Sequence, residues 1–292
     1  MFRNILSLAG LSLALGCTPF EPGTDELPEP SFGSSNAAGS SAANTTAIDA
    51  LTAEPGHDWS CVGALNLPPM VARSTANAAR LVQSIQILSL VTGAVPKDVS
   101  VRACAQRDLE CNNPVSPSVP LDAQGYADLS LYDGFDGYLE IQGPEIVSTI
   151  LFYQDALALD ARRDTTPLGV VERDRLPMLT AAIGSQQEPQ LGLVYLRAFD
   201  CQNEPAVGVR YRIDRSSVPF YFVAGLPSGT STETERSGLG GFINVPTGIA
   251  VVNAELSSGA KPIALPKSLL VRANWMTGLR ILPSLRPPED AQ

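Results

Sequence analysis

Histidine is almost missing: His57 is the sole one in 292 residues. With it go most imidazole-based acid–base steps and most histidine metal sites. Charge is also scarce. Only 17% of residues are Asp, Glu, Lys or Arg, against about 25% in an ordinary soluble domain. Basic residues are outnumbered 20 to 30, for a net charge of −10, which argues against a nucleic-acid binder working through bulk positive charge. There is no P-loop, no G-x-G-x-x-G after a strand and no H-E-x-x-H, and no Cys or His pairs stand at zinc spacing. No cofactor and no metal are therefore expected. What remains is a chain 44% apolar with 24 Gly and 24 Pro. That is too apolar for a wholly disordered protein and long enough for one large domain or two ordinary ones.

The first sixteen residues read as an export signal. Arg3 supplies the positive start, and the apolar run Ile5 to Leu15 is shorter than the about 20 residues a spanning helix needs. It ends in Leu13-Ala14-Leu15-Gly16-Cys17, which resembles the lipobox of bacterial lipoproteins, with Ala14 where Leu is commonest. The resemblance implies cleavage before Cys17, leaving it as the first mature residue with a diacylglycerol and an amide-linked acyl chain such as palmitate. Such a multi-chain anchor gains about 0.8 kcal/mol per buried methylene. Thr18 stands where an Asp would be the inner-membrane retention signal, so the resemblance favours the outer membrane or cell surface of a Gram-negative envelope.

Residues 17–58 form a different text. Gly, Ser, Ala, Pro, Thr and Asn dominate. Acidic residues stand at Glu21, Asp25, Glu26, Glu29, Asp49, Glu54 and Asp58, with no basic one. Such a segment buries too little apolar surface to offset its ordering entropy. It is expected to be a flexible tether with an r.m.s. span of about 35 Å. The tether holds −7 of the net charge and Arg3 +1, while residues 59–292 carry 23 acidic and 19 basic residues, or −4. The acidity belongs mainly to the spacer. His57 sits at its far end, where a lone histidine is rarely a metal ligand.

From Trp59 onward, short alternating runs are separated by Gly, Pro, Asn and Asp. Val207 to Ile213 and Val99 to Ala103 alternate apolar and polar positions, as half-buried strands do. Leu139 and Ile141 alternate with Tyr138, Glu140 and Gln142, and Leu269, Val271, Ala273 and Trp275 share one face of a last strong run. Helical periodicity is confined to Leu176, Leu179 and Ile183, with Asp174 as a candidate N-cap and Gly184 as the stop, and to a short Ala-rich stretch from Met70 to Ala79.

Two stretches match each other. Val101-Arg102-Ala103-Cys104 leads to Cys111-Asn112-Asn113-Pro114, and Leu196-Arg197-Ala198-Phe199 leads to Cys201-Gln202-Asn203-Glu204-Pro205. Gly125-Tyr126 and the glycine turn at Gly134 to Gly137 are echoed at Gly238-Leu239 and Val245 to Gly248. The second unit, through Asp200, Pro205, Val207, Val209, Thr234, Gly238, Phe242, Pro246 and Gly248, resembles the carboxypeptidase regulatory-like domain, a transthyretin-like β-sandwich. The resemblance implies an all-β chain: two tandem antiparallel β-sandwiches, modules 59–155 and 189–284, joined by a connector 156–188 with a short helix, and a disordered tail 285–292. In that family the domain accompanies the catalytic unit and is not itself catalytic.

Four cysteines remain after Cys17. In an exported chain an even count suggests disulfides, and four allow three pairings. Cys104–Cys111 is favoured as a local clamp worth about 2.5 kcal/mol by chain entropy, leaving Cys61–Cys201 to tie the modules together. Phe199 takes the place of Cys104 in the second unit, which therefore has no local clamp.

Candidate chemistry is thin. Asp133 and Asp136 sit on a glycine turn that turn chemistry explains without calcium. Ser228 lacks a base, since His57 is the sole histidine. The stretch holding Ser228, Thr230, Thr232 and Ser237 is where the second unit is longer than the first, so it reads as a binding loop. Tyr221, just before it, stacks on a sugar or peptide if it faces outward. In the other reading it belongs to a buried strand with Phe220 and Phe222 in the core. The expectation is a non-catalytic, lipid-anchored envelope protein serving adhesion, scaffolding or binding of a glycan or envelope protein. Its alternative is an envelope hydrolase using a carboxylate pair that no sequence signal can pick out.

Overall fold

The computed structural model describes residues 57–62, 80–132, 135–152 and 167–283. The expected Met70–Ala79 helix, Cys17 and the tail lie outside these. The first half supplies β1 (Arg80–Ser89), β2 (Ser100–Ala105), β3 (Ser116–Pro120), β4 (Tyr126–Tyr132), β5 (Gly137–Gln142), β6 (Thr149–Phe152) and β7 (Leu168–Val170). Helix α1 (Leu176–Ala182) follows, then β8 (Gly192–Ala198), β9 (Val209–Ile213), β10 (Val218–Val223), β11 (Leu226–Ser228) and β12 (Leu239–Val245). The chain continues through β13 (Gly248–Leu256), β14 (Lys261–Pro262), β15 (Lys267–Val271) and β16 (Met276–Ile281). The fold is all-β, as the alternation predicts. In β13, Ala250, Val252, Ala254 and Leu256 point inward while the residues between them are half-exposed.

One nine-stranded sheet runs through both halves in the order β11-β10-β12-β8-β16-β6-β5-β2-β3. Two small sheets pack on it. The sheet β4-β1-β7 encloses a core of Ile85, Ile87, Val101, Leu129, Leu139 and Ile141. The sheet built on β13, with β9 on one side and β15 and β14 on the other, encloses a core with Val194, Leu196, Phe242, Val252, Leu269 and Leu279. Strand parity places the two cores on opposite faces of the long sheet. Leu139 and Ile141 of β5 join the first core, whereas Tyr138 joins the second together with Ile150 and Phe152.

The two sandwiches are thus fused. β16, at the end of the chain, pairs in parallel with β6 of the first half and with β8 of the second. The segment expected as a connector gives β7 to the first small sheet, paired in parallel with β1. It also gives α1, which ends in a Schellman motif: Gly184 takes φ +79°, its N–H bonds Ala181 O, and Ser185 N–H bonds Thr180 O. Asp174 is not the cap. Arg175 holds that position without a side-chain bond. The run expected to continue to Trp275 stops at Val271, because Trp275 N–H turns back to Arg272 O and Asn274 adopts φ +60°.

Both disulfides form, Cys104–Cys111 and Cys61–Cys201. The second does not join the two sandwiches. Residues 57–62 pack on the second core, with Trp59 2% exposed, so 59–62, expected in the first module, sit with the second half, and the bridge pins them to the β8–β9 loop.

Candidate functional site

Helix α1 lies on the face of the long sheet opposite the second core. Its stripe of Leu176, Leu179 and Ile183 meets Leu193, Phe220, Ile243 and Met276. The fit is incomplete and leaves an apolar groove of 180 Å³. Its floor comes from alternate residues of neighbouring strands: Leu193 and Tyr195 of β8, Phe220 and Phe222 of β10, Ile243 of β12 and Met276 of β16. Phe222 meets Tyr195 edge-on at 6.4 Å and Phe220 at 6.0 Å, a preferred aromatic geometry. The rim is apolar and open to solvent: Leu90 37%, Val91 39%, Met178 53% and Leu226 68% exposed. A cavity of about 150 Å³ lined this way binds a benzene-sized group.

The lining holds no carboxylate, amine, imidazole or thiol. Its two hydroxyls are poor reagents. Thr180 Oγ1 donates to Pro177 O at 3.2 Å. Burial raises the Tyr195 phenol above its usual range, with Arg197 pulling it partly back. A smaller cavity of 60 Å³ adjoins, sharing Leu90, Tyr195 and Met276. There Arg197 and Arg280, register neighbours across β8 and β16, both lie over the Phe199 ring, at 5.2 and 4.6 Å.

The expected binding loop reaches this groove at its start alone. Gly225, Leu226 and Pro227 line it; Ser228, Thr230, Thr232 and Ser237 do not. Ser228 and Thr230 bond each other at 3.0 Å, and Ser237 O accepts Arg197 Nε–H at 3.2 Å. Tyr221 does not face outward. It is 3% exposed, stacked on Tyr211 at 5.8 Å, and its hydroxyl accepts Tyr211 N–H at 2.9 Å. Phe220 and Phe222, on the other face of β10, line the groove instead. Asp133 lies outside the described residues.

The two acidic side chains buried among the described residues serve structure. Glu140 Oε2 accepts Arg102 Nε–H at 2.7 Å, and Oε1 accepts Arg272 Nη1–H at 2.6 Å. Glu140 also lies within 4.8 Å of the Cys104 and Cys111 sulfurs, but those are a disulfide and offer no thiolate for a metal. Nearby, burial first and the Glu140 charge second push the Tyr138 phenol up to about 12. Asp200 takes Gln202 and Glu204 N–H on Oδ1 and Asp58 N–H and His57 Nδ1 on Oδ2. Burial pushes its carboxyl up, yet those bonds outweigh it and hold the group below the usual carboxylate value. The sole histidine is therefore part of a latch in which His57 and Asp58 are held by Asp200.

No family model matches the chain, and no curated protein matches it. Among solved structures, it is similar to a streptococcal ancillary pilin at 11% identity and TM-score 0.23, covering 70% of this chain and 68% of that one. It is also similar to the shaft pilin SpaA of Lactobacillus rhamnosus GG (10%, TM-score 0.22, covering 72% and 100%). The minor pilin GBS52 of Streptococcus agalactiae is a further match (13%, TM-score 0.22, covering 71% and 99%). Likenesses of this size say nothing about what the chain binds.

Proposed function

We propose that this chain is a lipid-anchored protein of a Gram-negative envelope, held through Cys17 in the outer membrane or at the cell surface. Its β-sandwich body binds a protein partner in adhesion or scaffolding and carries out no catalysis. The observation that carries the binding half is the open groove beneath α1, with four exposed aliphatic or thioether side chains on its rim. An apolar lining with few hydrogen-bonding groups suits an apolar side chain of a protein better than a glycan, which needs several convergent polar groups. The anchoring half rests on the lipobox and on the acidic spacer that leads to the latch at 57–62.

Cys17→Ser is expected to leave the protein unprocessed or move it from the membrane to the soluble fraction; unchanged mass and fractionation would refute the anchor. Leu226→Glu with Met178→Glu changes exposed side chains, so stability stays within about 0.5 kcal/mol while capture of an envelope partner is lost. Turnover of an ester, a glycoside or a peptidoglycan fragment that disappears on changing one carboxylate would replace this reading with the hydrolase.

A further inference from the structure

The segment 174–185, which carries α1, is clasped to the body at its two ends. On one side Val147 N–H bonds Val171 O and Arg173 N–H bonds Glu145 O, both at 2.8 Å. On the other, Asn244 donates Nδ2–H to Gln186 O and accepts Glu188 N–H on Oδ1, again at 2.8 Å each. Between these clasps, the hydrogen bonds and the ion pair that 174–185 makes among the described residues all stay within 172–185. Arg175 and Leu176 N–H reach Glu172 O, Leu179 N–H reaches Arg175 O, Ser185 N–H reaches Thr180 O, Thr180 Oγ1 reaches Pro177 O, and Asp174 pairs with Arg175. The segment meets the sheet through apolar contact, by the half-buried Leu176, Leu179 and Ile183.

Little in the segment itself stabilises it. α1 is seven residues long, its N-cap side chain makes no bond, and neither an acidic first turn nor a basic last turn complements its dipole. A helix this short does not persist in water without packing. Each clasp also buries an acceptor that has no partner among the described residues, Glu172 Oε2 at the first and Gln187 Oε1 at the second. An unpaired buried acceptor costs stability until it reaches water, which weighs against the seated position at both ends.

We infer that 174–185 is a hinged lid on the groove. It lifts about the Arg173 and Gln186 clasps, gives up apolar contact with the sheet, and widens the groove of 180 Å³ to admit an apolar segment larger than one benzene-sized group. Beside the second clasp, Gly184 takes φ +79° with nothing within 4 Å of where a Cβ would stand, so the backbone has room to turn there. Gly229, just after β11, sets how closely the lid seats: a Cβ on it would lie 2.4 Å from Ile183 O. A methyl group at 229 is therefore a wedge under the last turn of α1. This inference rests on the groove being the binding site of the proposed function, and it says how that site admits its partner.

Amide exchange of the full chain is the first test. Ile183, Gly184 and Ser185 are expected to exchange about a hundredfold faster than Ala198 and Phe199, with no dependence on urea below the unfolding range, as local opening does. Ala198 and Phe199 are the reference because they bond Gly238 O and Ile281 O in the long sheet. The second test is binding of 1-anilinonaphthalene-8-sulfonate, an aromatic probe larger than benzene, read as the fluorescence that Leu226→Glu abolishes. Gly229→Ala lies outside the groove lining and should tighten that binding about tenfold, because it raises the open fraction. Bound probe should in turn quicken exchange at Ile183, Gly184 and Ser185. Exchange there as slow as at Ala198 overturns the lid. Probe bound equally well by the parent and Gly229→Ala also overturns it, while leaving the groove as a binding site. Fast exchange at those amides, quickened by Gly229→Ala but with no probe bound by either chain, upholds the lid and removes the groove reading instead.

Discussion

Glu140 and Arg272 stand 132 positions apart in sequence and meet at 2.6 Å, with the Glu140 side chain fully buried. Glu140 lies on β5 of the first half and Arg272 follows β15 of the second. Arg102, on β2, bonds the other oxygen, and Gln142 Nε2 adds a bond at 3.3 Å. The carboxylate thereby pairs with one guanidinium from each half at the seam where the two sandwiches share a sheet.

Removing that carboxylate leaves two arginines crowded without a counter-charge. Breaking a buried pair from one side costs about 3–5 kcal/mol, so Glu140→Ala should lose stability of that size in urea unfolding. Glu140→Gln keeps the shape and some hydrogen bonds, and should fall between Ala and the parent. An unchanged urea midpoint for Glu140→Ala would show that the network contributes nothing.

The position of Glu140 also marks how far local reading goes. The alternation of Leu139 and Ile141 against Tyr138, Glu140 and Gln142 correctly assigns the two faces of β5. Periodicity says which face a residue is on but not what covers that face. The face read as polar is sealed by the second half of the chain, which brings Phe152 and Leu279 into register across β6 and β16. The same limit applies to β10, where aromatic residues occupy both faces. Phe220-Tyr221-Phe222 gives no clue that Tyr221 enters the core and its neighbours the groove. Local signals fared better where the cause is local: the Leu176, Leu179, Ile183 stripe, the glycine stop at Gly184 and the Cys104–Cys111 clamp. The pairing of His57 with Asp200, 143 positions away, leaves no sequence trace beyond the nearby Cys61 and Cys201.

The two disulfides should contribute unequally. Cys104–Cys111 spans 7 positions and Cys61–Cys201 spans 140. Loop-closure entropy gives about 2.5 kcal/mol for the first and about 5 kcal/mol for the second. Non-reducing peptide mapping should recover both pairs. Cys61→Ser with Cys201→Ser should lower the thermal midpoint more than Cys104→Ser with Cys111→Ser. The reverse order would mean that Trp59 and the Asp200 latch hold the 57–62 segment in place without the bridge.

Acid should loosen the same latch. Asp200 is held below its ordinary carboxylate value in the folded chain, so the unfolded chain binds a proton there more readily than the folded one. The stabilisation is present above the unfolded-state value near 4 and is lost as pH falls through the lower folded-state value. Thermal midpoints of the parent should therefore drop below about pH 4, and Asp200→Asn should remove that share of the drop. The amide can still accept the Gln202 and Glu204 N–H bonds through its oxygen, so the variant should fold. Its midpoint at pH 7 falls because the charged acceptor is gone, bonds to charged groups being worth about 1.5–3 kcal/mol where neutral ones give about 1. An acid profile identical to the parent's would show that protonation of Asp200 is not coupled to folding.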